Sequence, residues 1–108
     1  MIKSNSKQYN NMKYYKEKKN VKTSKQLERH FKGIANSKRI DILLLVSANP
    51  SITLIEITER LKTNIKTTSE HTRRLVDAGL LNKKYNGHTV EHTVSPYGKK
   101  IVEIILNF

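Results

Sequence analysis

The fold is decided by residues 53–87, which read TLIEITERLKTNIKTTSEHTRRLVDAGLLNKKYNG. Thr53 and Glu56 have the spacing of a capping box, and they predict the start of a short helix. A short polar turn follows, in which Asn64 can cap a further helix over residues 65–78. Two helices joined by so short a turn are typical of a helix-turn-helix unit.

The sequence after this second helix predicts a β-hairpin. Gly79 is placed to adopt the left-handed conformation that ends the helix. Strand-like segments over 80–85 and 89–95 flank an Asn-Gly dipeptide at 86–87, which favours a tight hairpin turn. Pro96 can then start a closing helix, because proline fits the first turn of a helix.

Two more helices precede the capping box. Leu27, Phe31 and Ile34 fall on one stripe of a first helix. Ser37 is expected to cap a second helix, which is apolar on most sides and should therefore be the central one. This order of helices and strands predicts a mainly α protein with a β-hairpin wing over residues 24–108. The expected architecture is that of a winged helix-turn-helix domain with a three-helix core, a recognition helix, a two-stranded wing and a C-terminal helix.

The charge indicates a polyanionic partner. There are 21 Lys and Arg residues against 9 acidic ones, and the formal net charge is +12. DNA, RNA or an anionic membrane surface would attract such a chain, although positive charge could also serve solubility alone. Residues 1–23 carry half of the excess and have few aliphatic side chains. We expect a flexible basic arm there, which could add phosphate contacts or be a solvated tail.

Several classes of protein are disfavoured by composition. The chain has no cysteine, which excludes disulfide bonds, thiolate zinc sites and a cysteine nucleophile. The N-terminus lacks an apolar signal segment, and the longest apolar stretch, 42–46, is too short to cross a bilayer. We therefore expect a cytoplasmic protein with no membrane partner. Without a glycine-rich phosphate loop or a catalytic constellation, we expect no enzyme and no cofactor.

Three segments resemble known regulators. Residues 34–43, IANSKRIDIL, resemble the beginning of the arsenic-repressor (ArsR-like) winged-helix regulators, and Ser69-x-His71 with Ala78-Gly79-Leu80 resembles their recognition-helix signature. Residues 93–100, TVSPYGKK, resemble the strand–helix junction of related multidrug-type (MarR-like) regulators. Thr72 stands where the ArsR-like signature usually has leucine. The resemblance implies a DNA-binding transcriptional regulator, by default a dimeric repressor that occludes a promoter.

The predicted recognition helix supplies the candidate DNA contacts. A major groove admits one helix, whose exposed side chains must offer donors and acceptors to base edges and phosphates. The helix offers Lys66, Thr67, Ser69, Glu70, Arg73 and Arg74, and the hairpin adds Lys83, Lys84 and His88. We expect the first three to lie at base edges or nearby phosphates and the arginine pair to hold the backbone. Glu70 could accept from a cytosine amine or orient the arginines, and the hairpin lysines could instead only protect strand edges.

The terminal helices are too apolar for so small a domain. Pairing them across a two-fold axis would bury the surplus and set two recognition helices about one DNA turn apart. The alternative is that both stripes pack on each other within one monomer. The candidate homodimer interface consists of Leu27, Phe31, Ile34, Ile101, Ile104, Ile105 and Phe108.

Other partners remain open at this stage. His88 and His92 are four residues apart, but no further ligands surround them, so we assign no metal site. A winged-helix module for RNA would need stacking aromatics, for which only Tyr85 and Tyr97 are near the proposed surface. A protein-interaction module would bind its partner with little dependence on salt, whereas DNA affinity should fall steeply as salt rises.

Overall fold

A computed structural model describes residues 21–108, which form five helices and a three-stranded antiparallel sheet. The arm expected over 1–23 lies outside the described residues as far as residue 20. In chain order the elements are α1 (Ser24–Ile34), α2 (Ser37–Ala48), β1 (Ile52–Thr53), α3 (Leu54–Leu61), α4 (Ile65–Asp77), β2 (Leu81–Asn86), β3 (Thr89–Val94) and α5 (Pro96–Leu106). The predicted fold is confirmed, with α3 and α4 as the helix-turn-helix pair and β2–β3 as the wing.

Helix α2 is the centre of the core, as its apolar composition predicts. Its side chains Ile42, Leu43 and Val46 are buried. Residues from every later helix and from the sheet pack around them, chiefly Ile52, Ile57, Leu75, Leu80, Leu81 and Val102. Because these residues come from separate elements, the core fixes α3 and α4 relative to the sheet.

Two of the three predicted N-cap residues are confirmed, and the third is wrong by one residue. Thr53 forms the capping box with Glu56, and the Asn64 side chain accepts a hydrogen bond from the Thr67 backbone N–H at 2.8 Å. Ser37, however, does not cap α2. Asn36 does so, because its Oδ1 accepts from the backbone N–H three residues later, at 3.2 Å, and Ser37 is the first helical residue.

The sheet has one strand more than predicted. The two residues of β1 pair with β3, so that Ile52 lies opposite His92 and the strand order is β1-β3-β2. A two-residue strand carries no alternation that a sequence pattern could reveal. Its presence makes β3 the central strand and leaves His92 only 1% exposed. The predicted wing strands shift slightly, because β2 begins at Leu81 and β3 ends at Val94.

The end of α4 is a Schellman motif built on Gly79. The Gly79 N–H donates to the Val76 carbonyl and the Leu80 N–H donates to the Leu75 carbonyl, each at 2.9 Å. Gly79 has φ +77°, a backbone conformation that residues with a Cβ adopt only with steric strain. The motif reverses the chain within two residues, so that the wing begins directly beside the helix.

Ser95 joins this turn to the last helix. Its buried hydroxyl donates to the Gly79 carbonyl at 2.6 Å and accepts from the Gly98 N–H at 3.0 Å, which caps α5. Its backbone N–H donates to the Leu80 carbonyl at 3.0 Å. A Cβ at Gly98 would overlap the same carbonyl oxygen. The first turn of α5 therefore rests on the backbone between α4 and β2.

Replacing this hydroxyl should destabilise the fold measurably. Ser95→Ala removes the α5 cap and leaves the Gly79 carbonyl without its donor, which we expect to lower the free energy of unfolding by about 1–3 kcal/mol. Urea denaturation followed by circular dichroism measures the change. The exposed Ser47→Ala in α2 is the control and should stay within about 0.5 kcal/mol of the parent. Equal, small effects of both variants would contradict the role given to Ser95.

Candidate nucleic-acid interface

Helix α4 presents one polar face and buries the other. Thr68, Thr72 and Leu75 are buried and hold the helix on the core. The predicted contact residues lie on the outer side. Thr67 is half-buried, and the exposed ones are Lys66, Ser69, Glu70, Arg73 and Arg74. The structure thus brings all six predicted side chains of the helix onto its accessible surface.

Glu70 holds both arginines of this surface. Its two carboxylate oxygens accept from Arg73 Nη2 at 2.7 Å and from Arg74 Nε at 2.9 Å. These hydrogen bonds hold the pKa of Glu70 below its ordinary value, and the bond from Arg73 has the larger effect. The same bond raises the pKa of Arg73. Of the two roles expected for Glu70, this geometry is that of orienting the arginines. Each guanidinium has five N–H donors, so both retain donors for a phosphate.

The turn before α4 contains a feature that sequence reasoning missed. Lys62 has φ +53° and ψ +47°, the left-handed conformation, and its N–H donates to the Glu59 carbonyl at 3.2 Å. Glycine is the residue that usually occupies such a position. Lysine there places an exposed cation at the junction of α3 and α4. The residue type at position 62 does not predict this conformation, because the left-handed backbone is set by the turn between the two helices.

The wing carries its candidate residues on both faces. Lys83, Lys84 and His88 are exposed. The predicted hairpin turn is present, but Asn86 pairs with Thr89, so its two central residues are Gly87, with φ +63°, and His88 rather than Asn86 and Gly87. Lys84 lies opposite Glu91 and Lys83 lies opposite His92. Because successive side chains of a strand alternate, the two lysines lie on opposite faces of the hairpin. Tyr85 is 70% exposed and its ring centroid lies 5.7 Å from Lys83 Nζ.

The candidate interface residues of the terminal helices remain largely uncovered. Phe31 is 51% exposed, Ile104 is 55% exposed, and Leu27 and Phe108 are also exposed. Ile34, Ile101 and Ile105 are half-buried against the core. Four of these residues, Leu27, Phe31, Ile101 and Ile104, line an open groove of about 650 Å³ between α1 and α5. Packing within one monomer therefore covers only part of this apolar surface.

Two histidines are structural. His30 is buried, and its Nδ1 donates to the Ala78 carbonyl at 2.7 Å, while its ring lies 5.0 Å from that of Tyr97. His92 is in the core, where burial lowers its pKa despite a backbone hydrogen bond with Ile52. The buried His92 and the exposed His88 therefore cannot bind the same metal ion. Within residues 21–108 there is no cluster of three or more side chains able to hold a metal ion.

The comparisons with known proteins fit this geometry. A family model described as winged helix-turn-helix DNA-binding matches residues 36–82, which include α2, α3 and α4. The structure of reduced HlyU from Vibrio cholerae is 28% identical with a TM-score of 0.69, over 76% of this chain and 86% of that one. No curated protein sequence matches the chain.

In the part of the chain that the structure describes, no helix is long and apolar enough to span a membrane.

The described residues have the winged helix-turn-helix fold. The transcriptional regulator HlyU from Vibrio vulnificus, 22% identical, shares the fold with a TM-score of 0.67 over 78% of this chain and 88% of its own. An ArsR family transcriptional regulator, 18% identical, does so with a TM-score of 0.65 over 81% and 89%. The resemblance to ArsR-like and MarR-like winged helices is confirmed. The matching family model is described as DNA-binding, which agrees with the prediction that the chain is not an enzyme.

Proposed function

We propose that this winged helix-turn-helix protein is a homodimeric regulator that binds double-stranded DNA sequence-specifically and represses by occluding a promoter. The observation that supports this proposal most strongly is the accessible polar face of α4, which carries three basic or hydroxyl side chains and an arginine pair oriented by Glu70. Such a face is what a helix needs in order to enter a major groove. A cytoplasmic location, where DNA is accessible, is part of the proposal.

In this proposal α4 reads bases with its first turns and phosphates with its last. Lys66, Thr67 and Ser69 offer donors and acceptors to base edges or to nearby phosphates. Arg73 and Arg74 bind the backbone through the guanidinium donors that Glu70 leaves free. The α3–α4 turn places the start of the helix, because Asn64 caps it and the buried Thr68 fixes its rotation.

The wing supplies a second contact in the proposal. Lys83, Lys84 and His88 surround a narrow hairpin tip that can rest on phosphates or enter a minor groove. The alternative of an RNA-binding module finds less support. Tyr97 lies against His30 in the α1–α5 groove rather than beside α4, which leaves Tyr85 as the aromatic side chain on the wing.

The dimer in the proposal is formed by α1 and α5. Phe31 and Ile104 have about half of their surface in water, and burying apolar surface of this kind stabilises an interface by about 25 cal/mol per Å². A two-fold axis through this groove would relate two protomers, each of which contributes one copy of α4. Two recognition helices would then contact successive major grooves, about 34 Å apart along the DNA.

Substitutions in α4 should separate affinity from sequence preference. Arg73→Ala with Arg74→Ala should weaken binding to every duplex, and the dependence of log K on log salt should fall by about 0.9 for each lost phosphate contact. Lys66→Ala should instead change which sequence is preferred, by roughly 1–3 kcal/mol for a lost base contact. Fluorescence anisotropy with labelled duplexes at several salt concentrations measures both effects.

The controls for this experiment lie on the same chain. Adding Glu70→Gln to the arginine pair removes the repulsion between an unpaired carboxylate and the phosphates, so the remaining loss is due to the missing arginine contacts. Lys99→Ala, an exposed cation on α5, should leave sequence preference unchanged. If the arginine pair can be removed without loss of affinity, α4 does not dock as proposed.

A charge in the groove should break the dimer. Phe31→Glu places a carboxylate in the apolar surface that the two copies would bury, and we expect a monomer in sedimentation equilibrium at concentrations where the parent chain is a dimer. Ile55→Glu on α3 is the matched control, because Ile55 is equally exposed but outside the groove. A parent chain that sediments as a monomer, or a Phe31→Glu variant that still dimerises, would contradict the α1–α5 interface.

A further inference from the structure

A cationic cleft lies between α1, the start of α2 and the second half of α4. It has a volume of about 220 Å³, and its walls carry the side chains of Arg29, Lys32, Arg39 and Arg74. Asp77 is the carboxylate that lines it. Arg74 alone among these residues is a predicted DNA contact, because the others are brought beside it only by tertiary structure.

Close packing between α1 and α4 forms the floor of the cleft. A Cβ added at Gly33 would overlap the Ala78 Cβ, so the two backbones approach as closely as a glycine allows. The hydrogen bond from His30 to the Ala78 carbonyl ties the same two helices together. Arg29 belongs to this region as well, since its Nη2 would lie 2.6 Å from a Cβ added at Gly79. The helix backbones that carry the walls of the cleft are therefore held in fixed positions.

The charges in the cleft are not balanced. Among residues 21–108, Arg29 and Arg39 have no carboxylate within ion-pair distance. Lys32 lies 3.4 Å from the exposed Glu28, and Arg74 shares the single carboxylate of Glu70 with a second arginine. The one acidic side chain of the lining already faces another cation, because Asp77 lies 3.6 Å from Arg73.

Arg39 is held in place by neutral groups rather than by an acid. Its half-buried guanidinium donates from Nε to the Gly33 carbonyl at 2.7 Å, and its Nη1 lies 3.4 Å from His71 Nδ1. The remaining N–H groups of its fork stay available to a ligand. Burial lowers the pKa of His71, and the positive charges of Arg39, Lys38 and Arg74 lower it further. The region thus has a positive potential that an anion would relieve.

We propose that this cleft binds a phosphate group through Arg29, Lys32, Arg39 and Arg74. Planar guanidinium groups match the geometry of phosphate oxygens, and several of them around one small cleft can contact more oxygens than the two that a carboxylate offers. Two sources offer the same chemistry. One is a backbone phosphate of bound DNA, which rests on the proposed function, and the other is a free phosphate-bearing solute, which does not.

Occupation of the cleft links two parts of the molecule. Arg74 belongs to the helix that would enter the major groove, and Arg29 and Lys32 belong to the helix that would form the dimer. A bound phosphate bridges them and fixes α4 against α1. A backbone phosphate would thereby extend the DNA contact beyond α4 and the wing, whereas a free solute would compete for Arg74.

The test compares two double variants with the same loss of charge. Arg29→Gln with Lys32→Gln removes two cations of the cleft, and Lys25→Gln with Lys99→Gln removes two exposed cations outside it. The full chain and both variants are titrated with inorganic phosphate, with chloride balancing the ionic strength, while amide chemical shifts are recorded by NMR. The same proteins are then titrated with duplex DNA at several salt concentrations.

We expect saturable shifts for amides of residues 29–33 and 74–79 in the parent chain and the control, and their loss in the cleft variant. If the source is DNA, the slope of log K against log salt falls by about 0.9 per lost contact in the cleft variant, beyond any change in the control. If the source is a free solute, the shifts are lost while the slope matches that of the control.

The proposal is overturned if inorganic phosphate causes no saturable shifts and both double variants change the DNA slope equally, since attraction would then be diffuse. Failure of the cleft and failure of the proposed function are distinguishable. A chain that binds no DNA but shows the phosphate shifts retains the cleft, and a chain that binds DNA specifically without either cleft effect retains the function alone.

Discussion

The turn at residues 78–80 is the constraint on which the rest of the structure depends. Its three carbonyl groups accept from His30, from the Ser95 hydroxyl and from the Ser95 backbone N–H. The N–H groups of Gly79 and Leu80 close the Schellman motif. Helices α1, α4 and α5 and the wing therefore meet at one point, where unpaired backbone groups would be costly. A displacement of α4 would break several of these hydrogen bonds together.

This arrangement lets α4 present a polar surface without becoming loose. Its buried side is itself partly polar, yet each threonine hydroxyl is satisfied within the helix. Thr68 donates to the Asn64 carbonyl at 3.2 Å, and Thr72 donates to the Ser69 carbonyl at 3.1 Å. A threonine at 72 can therefore replace the leucine usual in ArsR-like proteins without leaving an unpaired hydroxyl in the core. The buried face fixes the rotation of α4, and that rotation decides which side chains face a partner.

Features encoded by neighbouring residues could be predicted from the sequence. The capping box at Thr53, the glycine that ends α4 and the tight hairpin turn at Gly87 all depend on local chemistry, and the structure contains each of them. Strand β1 could not be predicted, because two residues show no periodicity. The burial of His30 and the convergence of Arg29 with Arg39 also escaped prediction, since both depend on which helices pack together. The DNA-contact and dimer residues stay predictions, although most of their side chains are exposed.

Selection of duplexes from a random DNA pool tests the central claim most directly. The chain is mixed with the pool at two salt concentrations, and the bound fraction is recovered and sequenced. Two copies of α4 related by a two-fold axis predict an enriched palindromic motif whose half-sites are about one helical turn apart, with affinity that falls as salt rises. Binding without enrichment, lost at higher salt, would contradict the claim, because it would show a basic surface that reads no sequence.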